Sequence, residues 1–520
     1  MGYPSFTVEV VLYYVTLALF FAIGCYAGFR ARNQTKDSFL SARGTQGWFS
    51  LGANFFASGL GVWTIFTLPQ VGSDPQLGVV GAVGYAIACI APILLLAWMG
   101  PAVRRWAPNG VTVTDFVLMR FGWSGLFLTV LISIVYMTVY LSSELTALGG
   151  FLSFCGFSTT QQIIAQVIVC ICTATYTAVG GMPASLITDK FQSFTVLALF
   201  VIASIGFGLN VTIPASAPQQ SNLYPTRVGW ESIVTLTCAV TFANIFHQGY
   251  WQRVYSSKDD RELRNSTYFA SALTFPMFLL IGLAGTLSVW AGLTQQMDGG
   301  DYNALFNVTA TLPDWVNGFV VILVSALICS SVDTLQSALT ASIVNDLSQR
   351  KLNLKWARLI AALINVPALL IAAMNAPILS LFLMADLFAG MIAAPILIGF
   401  IPSLRHVVNG FDFLLGFVGS ILSVFFFGWI WEGNAMAGLL LLMPPLSVPG
   451  ESIGAFLIAP IAGIFFSVLS AYIRRGIRRL RGLEVNVELT GRPTIWYGYN
   501  AEDKPKPDED ALKATVTPSV

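Results

Sequence analysis

The sequence predicts an all-α polytopic membrane protein with about 13 transmembrane helices. Three observations carry this. Of the 520 residues, 55% are hydrophobic and only 10% are charged, whereas a soluble domain carries roughly 25% charged residues. Mean hydropathy is +0.72. Apolar runs recur along the chain, many near the roughly 20 residues that a helix needs to cross ~30 Å of hydrocarbon.

The first run, Val8 to Phe29, has no basic segment before it and spans 22 residues. That is too long for a signal peptide, so it reads as a retained helix. Twelve further spans are expected at 48–68, 77–100, 123–150, 159–179, 186–210, 230–250, 267–291, 316–346, 356–374, 377–401, 411–432 and 452–473. Residues 1–481 form the transmembrane domain and 482–520 a polar tail, expected to be disordered and cytoplasmic.

Charge placement orients the spans. With the N-terminus outside, all of the 27 Lys and Arg except Arg227 fall on the cytoplasmic side, as the positive-inside rule requires. The inner set includes Arg104, Arg105, Arg120, Lys190, the Arg253 to Arg264 cluster, the Arg350 to Arg358 cluster and Arg405. The stripe Arg474 to Gly482 (RRGIRRLRG) reads as a membrane-surface anchor. Sequons at Asn210 and Asn307 fall outside; those at Asn33 and Asn265 fall inside. The plasma membrane is the expected host. A net charge of +1 gives no bulk attraction to nucleic acid, and none is expected as a partner. The seven cysteines show no zinc-like CxxC spacing and read as small core residues.

Ionisable groups inside a bilayer are costly and mark function. Here they are Glu144, Asp189, His247, Asp333 and Asp386. Asp115 in TVTDF reads as a helix cap. The span SLGANFFASGLGVWTIFTLPQVG holds Gly59 and Gly61 near its middle. They suit either close packing of small residues or a broken helix that frees backbone carbonyls. The span SALICSSVDTLQSALTASIVNDL holds six hydroxyl residues within sixteen positions. Ser330, Thr334 and Ser337 share a helical face, and Ser330 with Ser331 offers neutral oxygens to a hard cation. In TFANIFHQGYWQR, helical spacing puts Asn244, His247 and Gln248 on one face. His247 is either a satisfied buried histidine or a substrate or proton contact. In TYTAVGGMPASLITDKFQSF, Gly180 and Gly181 permit a tight turn and Pro183 can open the next helix. No HExxH, GxSxG or GxxxxGK[ST] motif and no catalytic carboxylate pair occurs, so neither an enzyme nor a cofactor is expected.

These motifs resemble the sodium:solute symporter family over most of residues 5–480. TYTAVGGMPASLITDKFQ is similar to the family's signature through Tyr176, Thr177, Gly180, Gly181, Thr188, Asp189 and Gln192. SSVDT is similar to its Ser-Thr-x-Asp-Ser segment, and ASGLGVW to its first core helix. Within the family, RRWAPNGVTVTDF and HQGYWQR resemble the urea-transporter branch, although His247 stands where that branch has Asp. The resemblance implies a LeuT-type fold of two inverted five-helix repeats, roughly 48–210 and 230–401. It implies an ion site at Ala57, Leu60, Leu327, Ser330 and Ser331, with Asp189 on the ion's route to the cytoplasm. Asp189→Asn is then expected to slow ion release with little loss of folding.

The expected function is a secondary active symporter importing a small polar solute, with urea foremost, coupled to Na⁺ or H⁺. Trp63, Asn244, His247 and Gln248 are the expected substrate contacts. The alternatives are a symporter for a polyamine, a nucleobase or a carboxylate, and a transporter-like sensor. A cationic solute calls for a carboxylate at the site, and His247 in place of Asp counts against one.

Overall fold

The computed structural model describes residues 5–485 except 222, 349–350, 375–376, 405 and 444–449. Arg350, Arg405 and nearly all of the expected tail lie outside the described residues. The chain runs through α1 (Phe6–Arg30), α2 (Lys36–Ser41), α3 (Trp48–Gly59), α4 (Thr64–Ser73), α5 (Gly78–Trp106), α6 (Val113–Phe154) and α7 (Thr159–Asn210). It continues through α8 (Ala217–Gln220), α9 (Arg227–Asn244), α10 (Gln248–Ser256), α11 (Asp260–Trp290), α12 (Ala304–Thr309) and α13 (Asp314–Ala341), which ends in a π-turn at Ser342–Leu347. The last elements are α14 (Leu354–Leu363), α15 (Asn365–Ala373), α16 (Ile378–Ile398), α17 (Gly410–Glu432), α18 (Ala435–Leu440) and α19 (Glu451–Leu480).

Among the described residues, 10 helices are long and apolar enough to span a membrane, and 12 spans result when each of two bent pairs is counted as one. A thirteenth comes from α7. Its 52 residues would stretch about 78 Å if straight, more than twice the hydrocarbon thickness. Instead it turns at Gly181, where φ is 57° and ψ is −148°. Tyr176 before the turn and Ser185 and Thr188 after it all donate to the one carboxylate of Asp333, at 2.8–3.0 Å. A straight helix would hold Tyr176 and Thr188 about 18 Å apart. The thirteen expected spans are therefore accounted for, and TYTAVGGMPASLITDKFQSF is a hairpin corner rather than a loop.

Gly181 is required there. Its backbone conformation disfavours a side chain, and a Cβ would collide with the Phe39 carbonyl. Gly181→Ala is expected to destabilise the fold by about 1–3 kcal/mol, read as a lower melting temperature of the purified protein.

Both sets of five spans open on a bent helix. The α3–α4 pair bends by 63° and the α9–α10 pair by 64°. α11 packs on α3 and α4, and α5 packs on α9 and α11. α13 is sheathed by the other helices, with 83% of its most apolar window buried. The basic residues gather at one end: Arg43 reaches the Pro108 and Gly110 carbonyls, Arg104 pairs with Asp260, and Arg120 holds the Leu404 and Val408 carbonyls. Arg227 lies at the other end, paired with Glu231, which also accepts from the Gly450 amide. Arg253 departs from this pattern. Expected on the cytoplasmic surface, its side chain is 1% exposed.

Candidate functional site

The two breaks meet at the centre of the molecule. The first runs from Leu60, in extended conformation, to Trp63 at the start of α4. Gly61 lies against Glu144 of α6, where a Cβ would fall on the carboxylate. The Glu144 Oε2 atom accepts the Val62 amide at 2.7 Å, so the carboxylate satisfies an N–H freed by the break and faces the positive end of α4. The second break lies at Ile245–His247, and the Trp251 indole donates to the freed Ile245 carbonyl at 2.7 Å.

Of the expected ion ligands, Ala57 and Ser330 come together, with the Ser330 hydroxyl 3.3 Å from the Ala57 carbonyl. The Ser331 hydroxyl donates to the Leu327 carbonyl at 3.0 Å and lies within reach of Glu144. Leu60 ends α3 beside them and donates its amide to the Ala57 carbonyl. Ser330 also donates to Asp189 Oδ1 at 3.1 Å.

Asp189 is not an isolated acid along a route. Its Oδ2 atom accepts from Arg253 at 2.6 Å, and both side chains are almost wholly buried. Arg253 donates further to Thr334 and to the Gly249 carbonyl, each at 3.0 Å. Asp333 lies next to this pair with its own donors from Tyr176, Ser185 and Thr188. This buried pair argues against the expectation that Asp189→Asn costs little folding. That change would strand a buried guanidinium.

A cavity opens between the breaks. Trp63 and Asn244 line it, together with the rings of Tyr85, Tyr136, Tyr140, Tyr250, Phe278 and Phe382. The Trp63 indole donates to the Tyr140 hydroxyl at 2.8 Å. His247 stands behind this wall, stacked on Tyr250 at 4.6 Å and edge-on to Tyr140 at 5.5 Å. Gln248 turns away, donating to Ser133 and accepting from the Val113 amide. The helical spacing that put Asn244, His247 and Gln248 on one face does not hold, because the helix breaks between the first and the last.

Asp386 of α16 completes the lining. It is 5% exposed and has no hydrogen-bond or ion-pair partner among the described residues. The sequence marked it as an ionisable group in the bilayer but gave it no role, since nothing polar neighbours it on its own helix. It is the carboxylate whose absence at position 247 had counted against a cationic solute.

A family model described as the sodium:solute symporter family matches residues 39–404. The spermidine transporter of Candida albicans is 33% identical over 500 residues, covering 95% of this chain and 92% of that protein. Sodium/glucose cotransporter 1 of Ovis aries is 24% identical over 242 residues, covering 46% of this chain and 35% of that protein. Among solved structures, a substrate-bound, outward-open Na⁺-coupled sialic acid symporter aligns with a TM-score of 0.68 at 17% identity, covering 90% of this chain and 98% of its own. Mhp1, closed with bromovinylhydantoin bound, aligns with a TM-score of 0.58 at 16% identity, covering 88% of this chain and 97% of its own. These likenesses show the LeuT-type fold. The urea branch finds no support, since the relative matched along nearly its whole length is named for spermidine. With its fold, its motifs and most of its length in agreement, the chain is a multi-pass secondary solute symporter and belongs to the sodium:solute symporter family.

Proposed function

We propose that this symporter carries a polyamine, with an ammonium group held by Asp386 inside the aromatic cavity. The observation that carries this reading is the Asp386 carboxylate, without a partner among the described residues, at the meeting point of the two broken helices. A buried carboxylate without a partner is costly, and a cation or a proton removes that cost. Aromatic faces attract an ammonium, and Trp63, Tyr85, Tyr136, Tyr140 and Phe382 provide them. Urea carries no charge to offset Asp386. The spermidine named for the Candida albicans relative fits the same chemistry.

Na⁺ is the coupling ion this reading favours, held by the Ala57 and Leu60 carbonyls of α3, the Leu327 carbonyl and the hydroxyls of Ser330 and Ser331. Its arrival would tie the α3–α4 break to α13, and its release would free Ser330 for Asp189. The residues on the route to the basic end are then Asp189 and its partner Arg253. The plasma membrane, with the basic end in the cytoplasm, is the corresponding location, and residues 1–481 are the transporting unit.

The test is uptake of labelled spermidine into cells lacking their own carrier, with unlabelled putrescine or urea as competitor. Putrescine is expected to compete and urea not; competition by urea alone would overturn the polyamine reading. In the same assay, Ser330→Ala with Ser331→Ala is expected to raise the Na⁺ concentration for half-maximal uptake about tenfold or more, the equivalent of ~1.4 kcal/mol in ion binding. Unchanged Na⁺ dependence would remove the ion site.

A further inference from the structure

The surface formed by α17 and α19 carries a groove that the transport site does not use. Its walls are apolar: Phe411, Leu415, Val418 and Leu422 on α17, with Leu469 and Ile473 on α19. From Phe411 to Leu422 the groove runs about 16 Å at the helical rise. That is about half of the ~30 Å hydrocarbon thickness, the depth of one leaflet and of one acyl chain.

The groove ends among arginines. Arg474 is fixed by Asp412 at 2.8 Å and by the Val407 carbonyl at 2.6 Å, which leaves its Nη1 atom without a partner among the described residues. One turn on, the Nε atom of Arg478 likewise has no partner among the described residues. Both residues line the groove. Arg475, Arg479 and Arg481 add positive charge nearby, and Asp412, the acid at this end, is already matched by Arg474. Two partly exposed guanidinium groups at one end of a leaflet-deep apolar groove suit an anionic acceptor joined to an acyl chain. Phosphate is that acceptor, since its oxygens match guanidinium geometry. An anionic headgroup adds net attraction that a zwitterionic one cancels.

We infer that the α17–α19 groove binds one anionic phospholipid, with an acyl chain along the apolar walls and the phosphate at Arg474 and Arg478. The membrane anchoring read from RRGIRRLRG thereby becomes a discrete site rather than a diffuse surface attraction.

The test is native mass spectrometry of the delipidated full-length protein, titrated with phosphatidylglycerol or with phosphatidylcholine of the same acyl chains. One phosphatidylglycerol per protomer is expected to be retained at about tenfold lower lipid concentration than phosphatidylcholine. Arg478→Gln is expected to abolish that preference. Leu415→Trp, which fills the groove and leaves the charges in place, is expected to weaken retention of both lipids. A melting temperature close to the wild type in each variant separates these losses from misfolding. Equal retention of the two lipids, or an unchanged preference in correctly folded Arg478→Gln, would overturn the site. A lipid-independent dimer that protects the groove would assign it to a second copy of the chain and would also overturn it.

Discussion

Asp386→Asn is expected to lower polyamine uptake about 100-fold or more while the transporter still folds. Breaking a buried ion pair by removing one partner costs roughly 3–5 kcal/mol, and each 1.4 kcal/mol is tenfold in affinity. The pair in question forms only when the substrate arrives, because Asp386 has no partner of its own among the described residues. The asparagine keeps the shape and removes the charge, so the loss should appear as a raised KM for spermidine and leave the melting temperature close to wild type. The neutral side chain also removes the cost of an uncompensated carboxylate, so a small gain in stability is compatible with the reading. Wild-type KM in a folded Asp386→Asn protein would show that the carboxylate does not receive the solute.

The opposite pattern is expected at Arg253. Its guanidinium neutralises Asp189 where both are almost fully buried, and it also holds Thr334 and the Gly249 carbonyl. Among the described residues, Arg253→Met leaves Asp189 with the Ser330 hydroxyl alone as a side-chain donor. The change should destabilise the protein by about 3–5 kcal/mol, read as a sharp fall in melting temperature or in monodisperse yield. Asp189→Asn should also destabilise, since it strands the arginine. The double variant Asp189→Asn with Arg253→Met removes both charges and should recover part of the loss. A double variant no better than the sum of the single changes would show that the pair does not act as a unit.

Much of this architecture was legible in the sequence because a bilayer imposes length and polarity on each span. The thirteen apolar runs, the turn at Gly180 and Gly181, and the break beside Gly59 and Gly61 all carried local signals. The hydroxyl stripe from Ser325 to Thr340 likewise set its span apart by polar residues, and that span is the deeply buried α13. The second break carried no such signal: Ile245, Phe246 and His247 include neither Gly nor Pro, so regular spacing ran on through a position where the helix stops. That is why Gln248 was expected beside Asn244 and instead holds the start of α6.

Arg253 and Asp386 were hidden for a different reason. Arg253 begins a run of basic residues that satisfies the positive-inside rule as a group, and nothing in the run tells which member turns inward to a carboxylate 64 positions away. Asp386 takes its meaning from rings on the α3–α4 break and on α5, α6, α10 and α11. Both assignments depend on contacts between distant segments, which local patterns do not encode.

The symporter is expected to couple movement of a polycation through the site at Asp386 to an ion gradient. The most direct measurement is accumulation of labelled spermidine in proteoliposomes of the purified protein, with the Na⁺ gradient and the pH gradient imposed separately. Uphill accumulation driven by an inward Na⁺ gradient and lost in Asp386→Asn is the predicted result. Liposomes that concentrate urea but not spermidine, or spermidine movement indifferent to every ion gradient, would contradict it.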